Sequence, residues 1–174
     1  LCTVVATVGS SPRPVGSMLA CNAGGEQAGS LSGGCVEEDL LQRLAKGDLD
    51  ASRPLLQEYG VTAEENERLG LPCGGRLQIL VQELTDHDKN WLAEALSAVE
   101  HRRCVRRSLD LASGKTRLEA AERFAGLELT ANTLQQSYGP QMRMLLVGAG
   151  QLAQSLAELA LAMDYEVLVT DPRP

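Results

Sequence analysis

The sequence predicts a mixed α/β protein, and three observations carry that reading. Across the first 138 residues, short apolar runs broken by glycine and proline alternate with stretches of helical spacing. From Met142 onward, an apolar run, a glycine-rich turn, an amphipathic stretch and a second apolar run follow in that order, the pattern of a parallel β–α–β unit. The composition is that of an ordinary soluble globular chain, 174 residues with 44% hydrophobic and 22% charged. Aromatic residues make up only 3%, so the core has to be built mainly from Leu, Val and Ala.

Taken in order, Leu1 to Val8 is an apolar, β-branched strand ended by the loop signal Gly9-Ser10-Ser11-Pro12-Arg13-Pro14. Met18 to Cys21 predicts a second strand, and Asn22-Ala23-Gly24-Gly25 turns into a third between Glu26 and Ser30. Val36, Leu40, Leu41 and Leu44 fall at helical spacing, which predicts a helix from Cys35 to Lys46 with Gly47 as its stop. Pro54 to Tyr59 reads as a strand. Thr62-Ala63-Glu64-Glu65 spells a capping box and places a short helix within Gly60 to Leu71. Leu71-Pro72-Cys73-Gly74-Gly75 then turns into Arg76 to Glu83, which alternates as a half-buried strand does.

Thr85-Asp86 predicts the start of a helix running to about Glu100, with Leu92, Leu96 and Val99 on its apolar face. Cys104 to Leu111 and Thr116 to Glu119 predict a hairpin across Ala112 to Lys115. The arginines of Arg102-Arg103-Cys104-Val105-Arg106-Arg107 read as the solvated face of its first strand. Leu127 to Ser137 reads as further short strands with a turn near Asn132. No repeat or low-complexity segment interrupts the chain.

Tyr138-Gly139-Pro140 punctuates the sequence and predicts two domains, residues 1–138 and residues 139–174. In the second, the run Met142 to Val147 leads into Gly148-Ala149-Gly150-Gln151-Leu152-Ala153. A helix follows with Leu152, Leu156, Leu159, Ala160 and Met163 at core spacing, then a strand from Tyr165 to Thr170 that delivers Asp171. This is the context in which a G-x-G-x-x-A run has meaning, the opening of a Rossmann-type unit. Gly148 permits the tight turn, Gly150 lets the backbone approach a pyrophosphate, and Ala153 keeps helix and strand close. Asp171, 23 positions after Gly148, is placed to accept hydrogen bonds from a ribose. NAD(P) or another nucleotide is the implied ligand, and the alternative is a packing unit whose pocket is unused. Two strands and one helix leave much apolar surface uncovered, so this domain is expected to be truncated. The start at Leu1 without a Met, inside a strand, carries the same expectation for the other end.

A net charge of −7 argues against nucleic acid as a partner, because neutralising phosphates needs a basic surface. No apolar run approaches a membrane span and no signal peptide is visible. The five cysteines, Cys2, Cys21, Cys35, Cys73 and Cys104, match no disulfide framework and no paired zinc spacing. Reduced thiols in the cytoplasm are the simplest account.

The candidate chemistry of the first domain centres on Ser32-Gly33-Gly34-Cys35-Val36-Glu37-Glu38. Gly33 and Gly34 let successive N–H groups point at one spot, and a thiol at a helix N-terminus tends toward thiolate. Such a site suits an anion, a soft metal or a sulfur-rich cofactor, and equally accommodates an ordinary buried cysteine. Glu37 and Glu38 read as complements to the dipole of their own helix. Cys73 precedes Gly74-Gly75 much as Cys35 follows Gly33-Gly34, and the two turns are candidates for one cleft. Arg13, in a proline-stiffened loop, has the fork to bind phosphate or carboxylate, or is simply exposed. His87 and His101 have no metal-ligand spacing and read as surface residues.

Together these segments resemble the XdhC/CoxI family of xanthine dehydrogenase accessory factors. The resemblance rests on Gly9-Ser10-Ser11-Pro12-Arg13-Pro14-Val15-Gly16, Gly29 to Glu37, Gly70-Leu71-Pro72-Cys73-Gly74-Gly75, and Tyr138-Gly139-Pro140 leading into the Gly148 loop. It covers nearly the whole chain. The chain departs from the family pattern between Ser17 and Met18, where another residue, commonly Arg, is expected, and around Phe124 to Gly126, where the family is longer. The resemblance implies a cytoplasmic chaperone, not an enzyme in the turnover sense, that binds the molybdenum cofactor (molybdopterin) and delivers it to a xanthine dehydrogenase-type molybdoenzyme. It makes Cys35 the leading contact, including to the molybdenum, with Gly33 and Gly34 shaping its turn and Cys73, Gly74 and Gly75 a second contact. The glycine N–H groups and Arg13 would take the cofactor's phosphate. A homodimer and a cysteine desulfurase partner are further expectations. Two other function classes stay open on the residues, an NAD(P)-dependent oxidoreductase using Gly148, Gly150, Ala153 and Asp171, and a thiol or sulfur carrier using Cys35.

Overall fold

The computed structural model describes residues 1–9, 11, 13–69 and 75–173, with the backbone alone at Cys35. The first half runs β1 (Cys2–Val8), β2 (Met18–Cys21), β3 (Gln27–Gly29), α1 (Cys35–Lys46), β4 (Leu55–Tyr59), α2 (Ala63–Arg68) and β5 (Arg76–Val81). After a 3-10 turn at Asp86–Asp88 come α3 (Lys89–Glu100), β6 (Cys104–Asp110), β7 (Thr116–Ala121), β8 (Glu128–Leu129) and β9 (Thr133–Tyr138). The chain then continues with β10 (Met142–Val147), α4 (Gln151–Ala162) and β11 (Tyr165–Thr170). The strands form sheets of order β3-β2-β1-β5-β4, β7-β6-β9-β8 and β10-β11. The mixed α/β class expected from the sequence is what is found. Two compact units divide the chain. One comprises Leu1–Asp88, Leu109–Thr116 and Leu127–Leu134, the other Lys89–Ser108, Arg117–Gly126 and Gln135–Pro174.

In the first unit the five-stranded sheet is antiparallel throughout. Alternation along its strands sends Cys2, Val4, Leu19, Leu77, Ile79 and Val81 into one cluster with Val36 and Leu40 of α1. Val5 and Leu80 join a second cluster with Leu109 and Leu134. Each fully buried Leu, Ile or Val of this kind contributes about 1.5–3 kcal/mol, and Tyr59, fully buried in the same cluster, adds the one aromatic ring to an otherwise aliphatic group. Helix α1 stops where Gly47 turns left-handed at φ 74°, its N–H bonding back to Leu44. Helix α2 begins at Thr62, whose hydroxyl accepts the Glu65 N–H at 3.1 Å, as the capping-box spelling requires.

Strand direction fixes what gathers at the sheet's ends. Because β1 is antiparallel to both β2 and β5, and β3 and β4 are antiparallel to those in turn, three connections share one end. These are the β1–β2 loop that holds Arg13, the Ser30–Gly34 turn before α1, and the β4–β5 connection that contains Gly60 and Gly75.

In the second unit, two sequence expectations are corrected. The buried residues of α3 are Trp91, Ala95 and Ala98, whereas Leu96 is 61% exposed and Val99 is exposed as well. The face is turned by one residue, about 100° of helix. Trp91, the largest side chain of the helix, anchors it, buried beside the Arg107 guanidinium. Nor are the arginines of β6 all solvated: Arg107 is 1% exposed. It shares a strand face with the buried Val105 and Leu109. Its guanidinium lies 4.7 Å from the Trp91 ring centroid and donates to the Tyr138 hydroxyl at 3.4 Å.

The β10–α4–β11 segment is a parallel βαβ, paired in continuous register from Met142↔Tyr165 to Val147↔Thr170. Of the α4 face read as core, Ala160 is buried. Leu152, Leu156, Leu159 and Met163 are exposed, as are Leu145 and Val147 of β10 and Val169 of β11. Among the described residues no helix is long and apolar enough to cross a membrane.

Candidate functional site

The Ser30–Gly34 turn leaves β3 at Gly29, whose φ of 96° and contact with the Met18 carbonyl leave no room for a side chain. Ser30 N–H then donates to the Met18 carbonyl at 2.9 Å. Gly33 takes φ 86°, a left-handed value that suits glycine, and Gly34 is the N-cap residue of α1. Cys35 thus stands at the first helical position, where N–H groups have no intrahelical partner.

The N–H groups of the turn do converge on one spot, and that spot is filled. Glu37, at the third helical position, sends its carboxylate back across the turn. Its Oε1 accepts the N–H groups of Leu31, Ser32 and Gly33, each at 2.8 Å, and the Ser30 hydroxyl at 3.0 Å. Its Oε2 accepts the Gly34 N–H at 3.1 Å and the Ser32 hydroxyl. Burial disfavours the charged form of this residue, which is 8% exposed. The Ser32 hydroxyl and the N–H groups of Ser32, Gly33 and Leu31 outweigh burial and hold its carboxyl well below the usual carboxylate range. The reading of Glu37 as a complement to its helix dipole therefore understates it, and the glycine N–H groups assigned to a phosphate are occupied by this carboxylate. The spelling Gly34-Cys35-Val36-Glu37 did carry the signal, a glutamate three residues after an N-cap.

At the same end of the sheet, Arg13 is exposed, and its carbonyl accepts the Ser11 hydroxyl at 2.8 Å. Cys73 and Gly74 lie outside the described residues. Gly75 is described, and its carbonyl closes over Gly60. Beside it Glu65 reaches back to the N–H groups of Gly60 and Val61 at 3.1 and 3.0 Å, a smaller version of the Glu37 arrangement. Among the described residues, a Cβ built at Gly33 or Gly34 meets nothing within 4 Å, so none of them crowds the outer side of these two glycines, even though their N–H groups are taken. Among the described residues no group of three or more His, Cys, Asp or Glu is placed to hold a metal ion. Cys2, Cys21 and Cys104 are free thiols; burial pushes that of Cys2 up to about 11, with the neighbouring Cys21 thiol adding to it.

The second candidate site lies in the βαβ segment. Gly148 takes φ 102° and donates to the Thr170 carbonyl at 2.7 Å, and Gly150 is the N-cap residue of α4. Ala153 sits half-buried in the first turn of that helix. Asp171 is brought onto the glycine turn, accepting the Ala149 N–H at 2.6 Å, and is bridged by Arg173 at 2.7 and 2.9 Å. The Arg173 side chain first, then the Ala149 and Arg173 N–H groups, holds its carboxyl well below the usual range. The sequence pointed to Asp171 but not to Arg173.

Comparison with known proteins places this geometry in context. The model of the XdhC and CoxI family matches residues 1–60, a stretch that holds Arg13, the Ser30–Gly34 turn, Cys35 and Glu37. The resemblance read from those motifs is borne out. Two curated relatives align over 100% of this chain. A probable xanthine dehydrogenase subunit of Bacillus subtilis (strain 168) is 27% identical over 198 residues, with 59% of its length covered. The molybdenum cofactor insertion chaperone PaoD of Escherichia coli (strain K12) is 26% identical over 178 residues, with 53% covered. A solved structure described as a xanthine dehydrogenase from Bacillus halodurans shares the fold with a TM-score of 0.62 at 22% identity, covering 99% of this chain and 58% of that one. The chain spans about half the length of the curated relatives it matches.

Proposed function

We propose that this chain belongs to an accessory protein that binds the molybdenum cofactor and delivers it to a xanthine dehydrogenase-type molybdenum hydroxylase, without turning over a substrate of its own. The observation that carries the reading is the Gly33-Gly34-Cys35 turn, held rigid at one end of the first sheet and lying inside the stretch that matches the family model. The name of the Escherichia coli relative, a molybdenum cofactor insertion chaperone, supports the cargo, and that of the Bacillus subtilis relative supports the recipient class.

The residues fit such a group in part. Cys35 offers a soft sulfur for a molybdenum dithiolene, and among the described residues nothing crowds Gly33 and Gly34 beside it. Arg13, in a loop at the same end of the sheet, offers a guanidinium for the cofactor's phosphate. The turn's own N–H groups are satisfied by Glu37, so the phosphate falls to Arg13 and to the β4–β5 connection, where Cys73, Gly74 and Gly75 are the candidates. When bound, the cofactor brings all of the redox chemistry, and this chain holds and shields it. Residues 1–138 are proposed as the cofactor-handling part. A cytoplasmic homodimer that meets an apo-hydroxylase, and a cysteine desulfurase if the cofactor is sulfurated on the carrier, completes the proposal. A sulfur-carrier role for the Cys35 thiol would use the same turn.

A second reading rests on the parallel βαβ, with Asp171 seated on the glycine turn at Ala149. It assigns residues 139–174 to the start of a Rossmann-type domain with a nucleotide such as NAD(P) at Gly148, Gly150, Ala153 and Asp171. Delivery is tested by mixing cofactor-loaded, full-length protein with a cofactor-free molybdenum hydroxylase. Activity should appear in proportion to the loaded carrier. No gain over free cofactor would end the delivery reading.

A further inference from the structure

We propose that Glu37 is the positioning residue of the Cys35 turn: its carboxylate is a resident anion that fills the backbone cradle of residues 31–34, so the turn fixes the backbone at Cys35 and takes up no anionic group of the cofactor. The proposal rests on the reading of that turn as the cofactor contact. A free anion held by a run of backbone N–H groups is a familiar arrangement. Here four successive N–H groups and two serine hydroxyls all donate to one side chain of the same chain.

An incoming phosphate would have to displace a carboxylate that is buried and bonded to six donors. The displaced charge would lose that whole set of partners, and a buried charge without partners is strongly disfavoured. The carboxylate instead makes the turn rigid before any ligand arrives, which lowers the ordering cost of binding. Glu37 also follows Cys35 by only two residues, so its grip on Ser30 to Gly34 sets where α1 begins and hence where Cys35 stands.

The test uses full-length protein with Glu37→Ala and Glu37→Gln, and formate as a probe anion that can occupy the vacated cradle. Formate should raise the melting temperature of Glu37→Ala in a saturable manner, with chloride at equal ionic strength having no such effect. Wild type should not respond. Cofactor affinity of Glu37→Ala should fall by about tenfold or more and be restored by formate, a recovery that a merely space-filling side chain would not give. In Glu37→Gln, which keeps the volume, amide exchange at Leu31 to Gly34 should be about tenfold faster or more while β5 is unchanged.

Undiminished or tighter cofactor binding by Glu37→Ala would overturn the proposal, because the ligand would then be competing for the cradle. So would unchanged exchange in Glu37→Gln, a result that counts even if Glu37→Ala does not fold. If wild type binds no cofactor, the carrier reading fails by itself, and the formate and exchange arms still decide the role of Glu37.

Discussion

The carboxylate of Glu37 accepts the backbone N–H of Gly33 at 2.8 Å, and Gly33 meets it with a φ of 86° that other residues rarely adopt. The side chain fixes the turn and the turn's conformation exposes the N–H groups that hold the side chain. Among the described residues Gly33→Ala meets no atom within 4 Å, so its cost is conformational, about 1–2 kcal/mol. Gly29→Ala adds a clash with the Met18 carbonyl and should cost more, about 3 kcal/mol or above. Urea unfolding of the two variants checks the order; equal losses would contradict it.

Acid should weaken the fold partly through Glu37. Its folded-state carboxyl lies below its unfolded value of about 4.3. The stabilisation is therefore whole above that pH and lost as pH falls toward the folded value. The difference in unfolding free energy between wild type and Glu37→Gln should be largest at neutral pH and shrink in acid below about pH 4.3. A difference that stays constant between neutral and acid conditions would contradict this.

Trp91 is the single tryptophan, so intrinsic fluorescence reports its surroundings alone. It is buried under the Arg107 guanidinium. Arg107→Ala should shift the emission to longer wavelength as water reaches the ring, and should destabilise by about 2 kcal/mol through the lost cation–π contact and packing. Arg107→Lys keeps a charge but not the flat stacking group and should fall between the two.

Alkali should act through Cys2. Burial raises its thiol to about 11, so its contribution is whole below the unfolded thiol value, about 8.5. That contribution is lost as pH climbs through the folded value. The wild type should lose urea resistance across this window while Cys2→Ala loses less, and Cys2 should be alkylated slowly at neutral pH. Rapid labelling of Cys2 in the native protein would contradict the prediction.

Most of the architecture was legible in the sequence because it is set locally. Gly47, Thr62-x-x-Glu65 and the Gly148 run mark their elements with residues whose backbone preferences leave few choices. What escaped depended on tertiary partners. Nothing in the spacing of Leu92, Leu96 and Val99 reveals that α3 buries the face of Trp91, one residue round, with the Arg107 guanidinium over its ring. At the candidate site the convergence of N–H groups was readable from Gly33-Gly34. That a carboxylate from the following helix fills them is a matter of side-chain reach, which the heptapeptide suggests only as a glutamate at the right offset.

Whether the Cys35 turn holds the molybdenum cofactor is decided by anaerobic titration of full-length wild type and Cys35→Ala with that cofactor, side by side. Wild type should bind stoichiometrically, and the variant should lose about tenfold or more in affinity. Equal, tight binding by both proteins would contradict the site, and binding by neither would contradict the carrier reading itself.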